Sequence, residues 1–363
     1  MKKNNKIIKI LSPGRTCLFG DHQDYLGLPV IACAINKYIS LNAFENSFSV
    51  FKIQLPDIGE ERLIDIYDDF KHLEKRDYFA SSLKVLKRYG CIPDRGFDIT
   101  ITGDLPINAG LSSSSALIIA WIRFLLEAFG STYETTVELI ARMAYEAEVL
   151  EHKEPGGIMD QYTISMGNVL FINTSERASF EIIQKNMDGL IVGESGIKKE
   201  TINTLGNRKD NALKAIEYVK LKNPEFEIKS AILEEYKDYE KDIPFELRPY
   251  FFAALKNHSI TLKAFNEFKK EKPNLRYLGT LMNEHHLVLK DILKITVPLI
   301  DQMVSKAIQA GAYGVKIVGS GGGGSIVAVA PLEKEQKVIE AINNAGGKAA
   351  YKVNVDMGAR LMD

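Results

Sequence analysis

The sequence predicts an α+β fold in two domains, or one large one, on three observations. The chain has 363 residues, long for a single domain of common size. Its first segment alternates strand-like runs with turn signals before passing into long helical periodicity. Its second half shows β-α-β-β-α-β order, the split βαβ pattern, when the intervening helices are collapsed to one. The boundary is expected near residue 190, dividing the chain into 1–190 and 191–363.

The runs Lys6–Leu11, Leu28–Ile35, Ser47–Leu55 and Phe97–Thr102 read as strands, with Pro13-Gly14 among the turn signals that separate them. Ala116–Phe129 is apolar nearly all round, as a core helix is; Ser112–Ser115 offer N-cap hydroxyls and Gly130 stops it. A second helix is expected from Ser131-Thr132 through Val137–His152, ending at the Pro155-Gly156-Gly157 break. Asn168–Asn173 and Gly189–Val192 read as further strands. Helices follow, ending with Val297–Ala310, then strands Tyr313–Val318 and Ser325–Ala330, helix Lys334–Asn344 and strand Lys348–Val355.

Composition narrows the function. Lys plus Arg number 46 against 47 Asp plus Glu, a net charge of −1, and no basic run with interleaved aromatics occurs, so a nucleic-acid partner is not expected. Ala116–Leu126, the longest apolar stretch, is about half a membrane span and contains Arg123, so no membrane partner is expected either. The basic start MKKNNKIIKIL meets Pro13 and Arg15 before a signal-peptide core develops, which points to a cytoplasmic protein. Cys17, Cys33 and Cys91 are odd in number and widely spaced without CxxC, so buried thiols are expected rather than disulfides or zinc.

Three regions are suited to phosphate chemistry. Gly103–Leu117 joins a strand to an apolar helix through glycines and four serines, which presents unpaired helix amides to an anion; a solvated N-cap fits the same residues. Gly319, Gly321 and Gly324 have dinucleotide-fingerprint spacing, but Ser325–Ala330 is strand-like where that fingerprint needs a helix. Five glycines in six residues suit close backbone approach to a ligand or the other domain, or a flexible hairpin tip. Asp160, after the Pro-Gly-Gly break, is a carboxylate presented into a cleft, or a cap or surface residue. Glu148, Glu151 and His152 share a helix face, as a metal contact or a solvated surface. His285-His286 point to different helix faces and read as structural or exposed, with no ligand role.

Taken together, PGRTCLFGDHQDY (Pro13–Tyr25), LPINAGLSSSSAL (Leu105–Leu117), GGIMDQ (Gly156–Gln161) and KIVGSGGGG (Lys316–Gly324) resemble, in order and spacing, the motifs of the GHMP small-molecule kinases. The resemblance spans nearly the whole chain, and its first and third segments are most similar to galactokinases. It implies an S5-like amino-terminal domain and a ferredoxin-like carboxy-terminal domain, with ATP and acceptor between them. It also implies that Gly110, Leu111, Ser112, Ser113 and Ser114 wrap the ATP phosphates, assisted by Gly321, Gly322 and Gly323. Ser114 and Glu148 would hold Mg2+. Asp160 would take the acceptor hydroxyl proton, with Arg15 beside it. Asp21, His22, Asp24 and Tyr25 would contact the sugar. An aspartate next to Arg15 is expected to stay ionised and to accept the proton only late in transfer.

The expected activity is therefore ATP- and Mg2+-dependent phosphorylation of the anomeric hydroxyl of galactose or a related sugar, by a monomer or weak homodimer. A mevalonate-type kinase, a non-catalytic sugar and ATP sensor, and a decarboxylase of the same fold are the alternatives. Three departures bear on the substrate. Asp21 stands where galactokinases carry Glu, drawing the carboxylate back by about one C–C bond, roughly 1.5 Å. Gln23 replaces their Thr, and Gly206 falls where they place a sugar-contacting Tyr. Finally, GVKIVGSGGGG and AYEAEVLEH are as similar to mevalonate kinases.

Overall fold

The computed structural model describes residues 7–175, 178–197 and 202–362. Seven strands open the chain: β1 (Ile8–Phe19), β2 (Val30–Glu45), β3 (Val50–Leu55), β4 (Glu60–Asp65), β5 (Phe97–Gly103), β6 (Val169–Asn173) and β7 (Ser179–Gln184). Interleaved with them are α1 (Tyr78–Arg88), α2 (Ser113–Phe129), α3 (Val137–Tyr145) and α4 (Met159–Met166). A second sheet contains β8 (Leu190–Glu194), β9 (Gly314–Val318), β10 (Ser325–Val329) and β11 (Ala349–Lys352). Between β8 and β9 lie α5 (Ile202–Lys222), α6 (Tyr236–Glu240), α7 (Arg248–Phe268), α8 (Leu275–Leu287) and α9 (Pro298–Ala310), and α10 (Glu335–Asn344) precedes β11. The short β12 (Arg360–Met362) returns to pair with β1.

β2 organises the first sheet. It pairs with β1 along most of its length, while its other edge is shared by β6 at Val30–Cys33 and β5 at Ile39–Glu45. The sheet order is β12-β1-β2-β5-β3-β4, with β6 and β7 branching from β2. The second sheet has the order β11-β8-β10-β9, antiparallel throughout, which is the ferredoxin-like arrangement expected from the split βαβ pattern.

Several local expectations change. Pro13-Gly14 does not end a strand: β1 runs through it, with a register shift there that absorbs the proline's missing N–H. That continuity carries Arg15 to the middle of the strand. The helix expected from Ser131-Thr132 begins at Val137, because Thr136 caps it by accepting from the Leu139 amide at 3.1 Å. The hydroxyls of Ser131 and Thr132 instead bond the Tyr89 carbonyl, at 2.8 and 3.1 Å. The chain after β11 also leaves the second sheet, since β12 joins the first and the Asn168 amide donates to the Asp356 carbonyl at 2.6 Å. All three cysteines are buried and free.

α2 packs on β1 and β2, and the buried Trp121 at its centre touches the rings of Phe51, Phe79 and Phe124 at centroid distances of 5.3 Å each. Its indole N–H donates to the Phe79 carbonyl at 3.2 Å, so the ring is buried without stranding its polar atom. Trp121→Ala is expected to destabilise the fold by about 3–5 kcal/mol, read as a lower midpoint in urea denaturation followed by circular dichroism.

Candidate active site

The site forms where β1, the start of α2 and the start of α4 meet. Arg15, buried on β1, grips Asp160 with a two-pronged ion pair, Nε to Oδ1 at 2.7 Å and Nη2 to Oδ2 at 2.9 Å. Its third donor, Nη1, reaches the Gly110 carbonyl at 2.6 Å. Burial opposes the charge on Arg15, but the Asp160 carboxylate outweighs it and holds the guanidinium above its ordinary pKa. Asp160 lies in the first turn of α4 rather than in a loop after a break, so the helix's positive end supports its charge.

The serines of the Gly110–Ser114 loop do not cap α2. Ser112 takes a left-handed backbone, φ 59°, and its hydroxyl donates to Asp160 Oδ2; no side chain caps the helix. Ser115 donates to Glu148 Oε2 at 2.6 Å. The first amides of α2 therefore face the cleft without a hydroxyl covering them, the arrangement that binds an anion.

Glu148 lies on a turn of wider helix, Glu146–Leu150, which continues α3. It alone of the Glu148, Glu151 and His152 set turns inward. Glu151 pairs with Lys84 and Arg88, at 2.8 and 2.7 Å, and His152 accepts from the Arg76 amide at 3.3 Å. Glu148 is met by neutral donors, Ser115, Gln161 at 2.7 Å and Ser114, and burial pushes its pKa up, with Asp160 adding to the rise. A buried carboxylate supported only by neutral donors is one that a cation would stabilise.

The turn after β1 supplies the remaining candidates. Asp24 lies against Gly157: a methyl on that glycine would stand 2.0 Å from Asp24 Oδ2, so the Gly-Gly break lets the two segments touch. Burial raises the Asp24 pKa to about 6, with Asp160 contributing, so two carboxylates face one small space. His22 bonds the Tyr25 hydroxyl at 3.2 Å, and burial holds its ring neutral, lowering its pKa to about 4. His22 and Tyr25 line a small cavity with Arg208, Tyr250 and Asn257.

Asp21 has protein partners of its own. It faces Lys316 at 2.5 Å and accepts the Gly319 amide at 2.9 Å. Gln23 is also turned inward, to Thr261 at 3.3 Å and the Pro29 carbonyl, which makes it a tie to α7. Gly206 opens into free space, and the tyrosines near the pocket are Tyr25 and Tyr250. In the glycine loop, the Gly322 amide is spent on the Ile295 carbonyl at 2.8 Å, and a side chain at Gly321 would collide with Ile295, so packing accounts for the glycine there. His285 and His286 are both buried, neither exposed; His285 stacks on Phe19 at 6.4 Å. Lys316 escaped notice in the sequence because it reads as one residue of an ordinary strand.

Comparison with known proteins identifies the family. The family descriptions "GHMP kinases N terminal domain" and "GHMP kinases C terminal" match residues 77–168 and 261–348, and "Galactokinase galactose-binding signature" matches 3–42. The chain belongs to the GHMP kinase superfamily. A galactokinase of Clostridium acetobutylicum is 29% identical over 361 residues, covering 95% of this chain and 90% of its own. A mevalonate kinase of Thermococcus sibiricus is 27% identical over 361 residues, 97% of each chain. The crystal structure of Lactococcus lactis galactokinase complexed with galactose superposes with a TM-score of 0.87 at 21% identity, covering 98% of this chain and 95% of that one. This GHMP kinase has no helix among its described residues that is long and apolar enough to cross a membrane.

The raised pKa of Asp24 has two measurable consequences. An ionised carboxylate accepts a hydroxyl hydrogen bond more strongly than its protonated form does, so kcat/KM is expected to fall as pH drops through about 6, and Asp24→Asn to flatten that limb. Because the folded pKa lies above the ordinary value of 3.8, ionised Asp24 opposes folding above about pH 6, and the penalty fades as pH falls toward 3.8. Asp24→Asn is accordingly expected to raise Tm at pH 8 and to lose that advantage near pH 4.

Proposed function

We propose that this GHMP kinase transfers the γ-phosphoryl group of ATP to the anomeric hydroxyl of galactose or a closely related sugar. The observation that carries the reading is the Arg15 fork, which holds Asp160 beneath the phosphate loop with Asp24 beside it. The galactose-binding signature over residues 3–42 and the likeness to galactokinases support the choice of sugar. The division into two domains near residue 190 belongs to the same reading, supported by the second sheet beginning at Leu190.

The residues act by positioning and charge. Amides at the start of α2 would meet the phosphates, and the two ends of the glycine loop, Gly319 and Gly324, lie against Gly110 and Ala109 beside them. Arg15 offers positive charge to the transferring group while fixing the Asp160 rotamer. Asp160 orients the acceptor hydroxyl and takes its proton as the new P–O bond forms and the bond from the γ-phosphorus to the bridging oxygen breaks, releasing ADP, which requires no strong base in a loose transition state. Asp24 and His22 hold the sugar's other hydroxyls, and the neutral His22 ring can donate or accept. Glu148 and Ser114 match the hard-oxygen donors Mg2+ prefers, and Mg2+ bound there would neutralise phosphate charge.

The test is ATP consumption with Mg2+ across galactose, N-acetylgalactosamine, galacturonate, arabinose, fucose, glucose and mevalonate. Turnover on galactose or a relative is expected; turnover on mevalonate alone would shift the reading to the mevalonate-kinase relatives, and silence on every acceptor with nucleotide bound would favour a sensor. Asp160→Asn is expected to lower kcat by about 10²–10⁴-fold while nucleotide affinity stays near wild type. Glu148→Gln is expected to raise the Mg2+ concentration required for half-maximal rate.

A further inference from the structure

Asp21 and Lys316 come from opposite sheets, one just past the end of β1 and the other in β9. Their side chains are 1% and 0% exposed, and the ion pair measures 2.5 Å. Lys316 Nζ also donates to the Cys17 carbonyl at 2.9 Å, so the ammonium is tied twice to the end of β1. The other Asp21 oxygen accepts the amide of Gly319, the first residue of the glycine loop. At the far end of that loop, Ser325 donates to the Ala109 carbonyl at 2.6 Å, and the next carbonyl, Gly110, receives Arg15.

These contacts form one line from the pair, through the glycine loop, to the phosphate loop and the catalytic fork. A segment with five glycines in six residues has little stiffness of its own, so its shape depends on its anchors: Asp21 and Ser325 at its two ends, and the Ile295 carbonyl that holds the Gly322 amide between them. One Asp21 oxygen faces an ammonium and the other an amide in a site that leaves the side chain 1% exposed, whereas the Asp160 side chain is 28% exposed, so a substrate hydroxyl has access to Asp160 and not to Asp21.

We infer that Asp21 and Lys316 are positioning residues for the nucleotide: the pair anchors the glycine loop over the phosphate loop, and in doing so it removes Asp21 from acceptor recognition. The inference rests on the proposed reaction class but not on which sugar is used. Recognition of the acceptor then falls to Asp24 and His22. The shorter carboxylate is the matching half of a buried pair rather than a weakened sugar contact.

The test compares wild type, Asp21→Asn, Lys316→Met and the double variant, all as full chains. Affinity for the non-hydrolysable analogue AMP-PNP with Mg2+ is measured by calorimetry without acceptor, beside KM for ATP and for the acceptor. Each single variant is expected to weaken AMP-PNP binding by about tenfold with acceptor KM changed less than about threefold, and the double variant to be no worse than either single. If a single variant fails to fold, the double variant, which leaves no unpaired buried charge, carries the comparison. Acceptor KM raised about tenfold in Asp21→Asn with AMP-PNP affinity unchanged would overturn the inference and make Asp21 an acceptor ligand. Lower Tm alone, with every affinity at wild-type level, would also overturn it, reducing the pair to a structural tie. The calorimetric arm uses no sugar, so a wrong choice of sugar fails separately.

Discussion

The site depends on one buried guanidinium. Arg15 is fixed in the middle of β1, and its donors are divided between the carboxylate of Asp160 and the carbonyl of Gly110. Three segments distant in sequence, a strand, a phosphate loop and the start of a short helix, are thereby held to one geometry. A lysine there would supply a point charge without the planar fork that fixes the carboxylate's orientation. Buried cations are costly unless fully engaged, and Arg15 is engaged on every side, so the constraint is rigid as well as charged.

Around that fork the carboxylates differ by surroundings rather than by kind. Asp160 is paired with a cation and lies at a helix start; Glu148 is met by neutral donors; Asp24 is buried beside another acid; Asp21 is locked to Lys316 and held down to about 2 although burial opposes it. In the proposed reaction the same functional group would thus serve as proton acceptor, cation ligand, hydrogen-bond acceptor and structural anchor. Environment separates these roles because each carboxylate's charge is stabilised, or left unstabilised, by different neighbours.

Much of this was legible in the sequence. The apolar run Ala116–Phe129, the glycine loop and the second-half strand order gave the core helix, the hairpin and the ferredoxin-like sheet because each is a local pattern with one dominant period or turn signal. Pro13-Gly14 misled, since a bulge in a long strand carries the same residues as a turn. α1, α4 and β4 were not legible as separate elements: α4 follows the Pro-Gly-Gly break directly, with only eight residues in which to show a period. The directions of Asp21, Gln23 and Ser112 were beyond local reading altogether. Each is set by a partner far along the chain, Lys316, Thr261 and Asp160, and side-chain direction follows from tertiary contact rather than from spacing.

The most direct measurement is phosphorus NMR of the product formed from ATP, Mg2+ and galactose. A new phosphomonoester resonance split by the anomeric proton is expected, since the acceptor oxygen beside Asp160 should be the anomeric one. A phosphomonoester coupled to any other position, or ADP formation with only free phosphate, would contradict the geometry proposed for Arg15, Asp160 and Asp24.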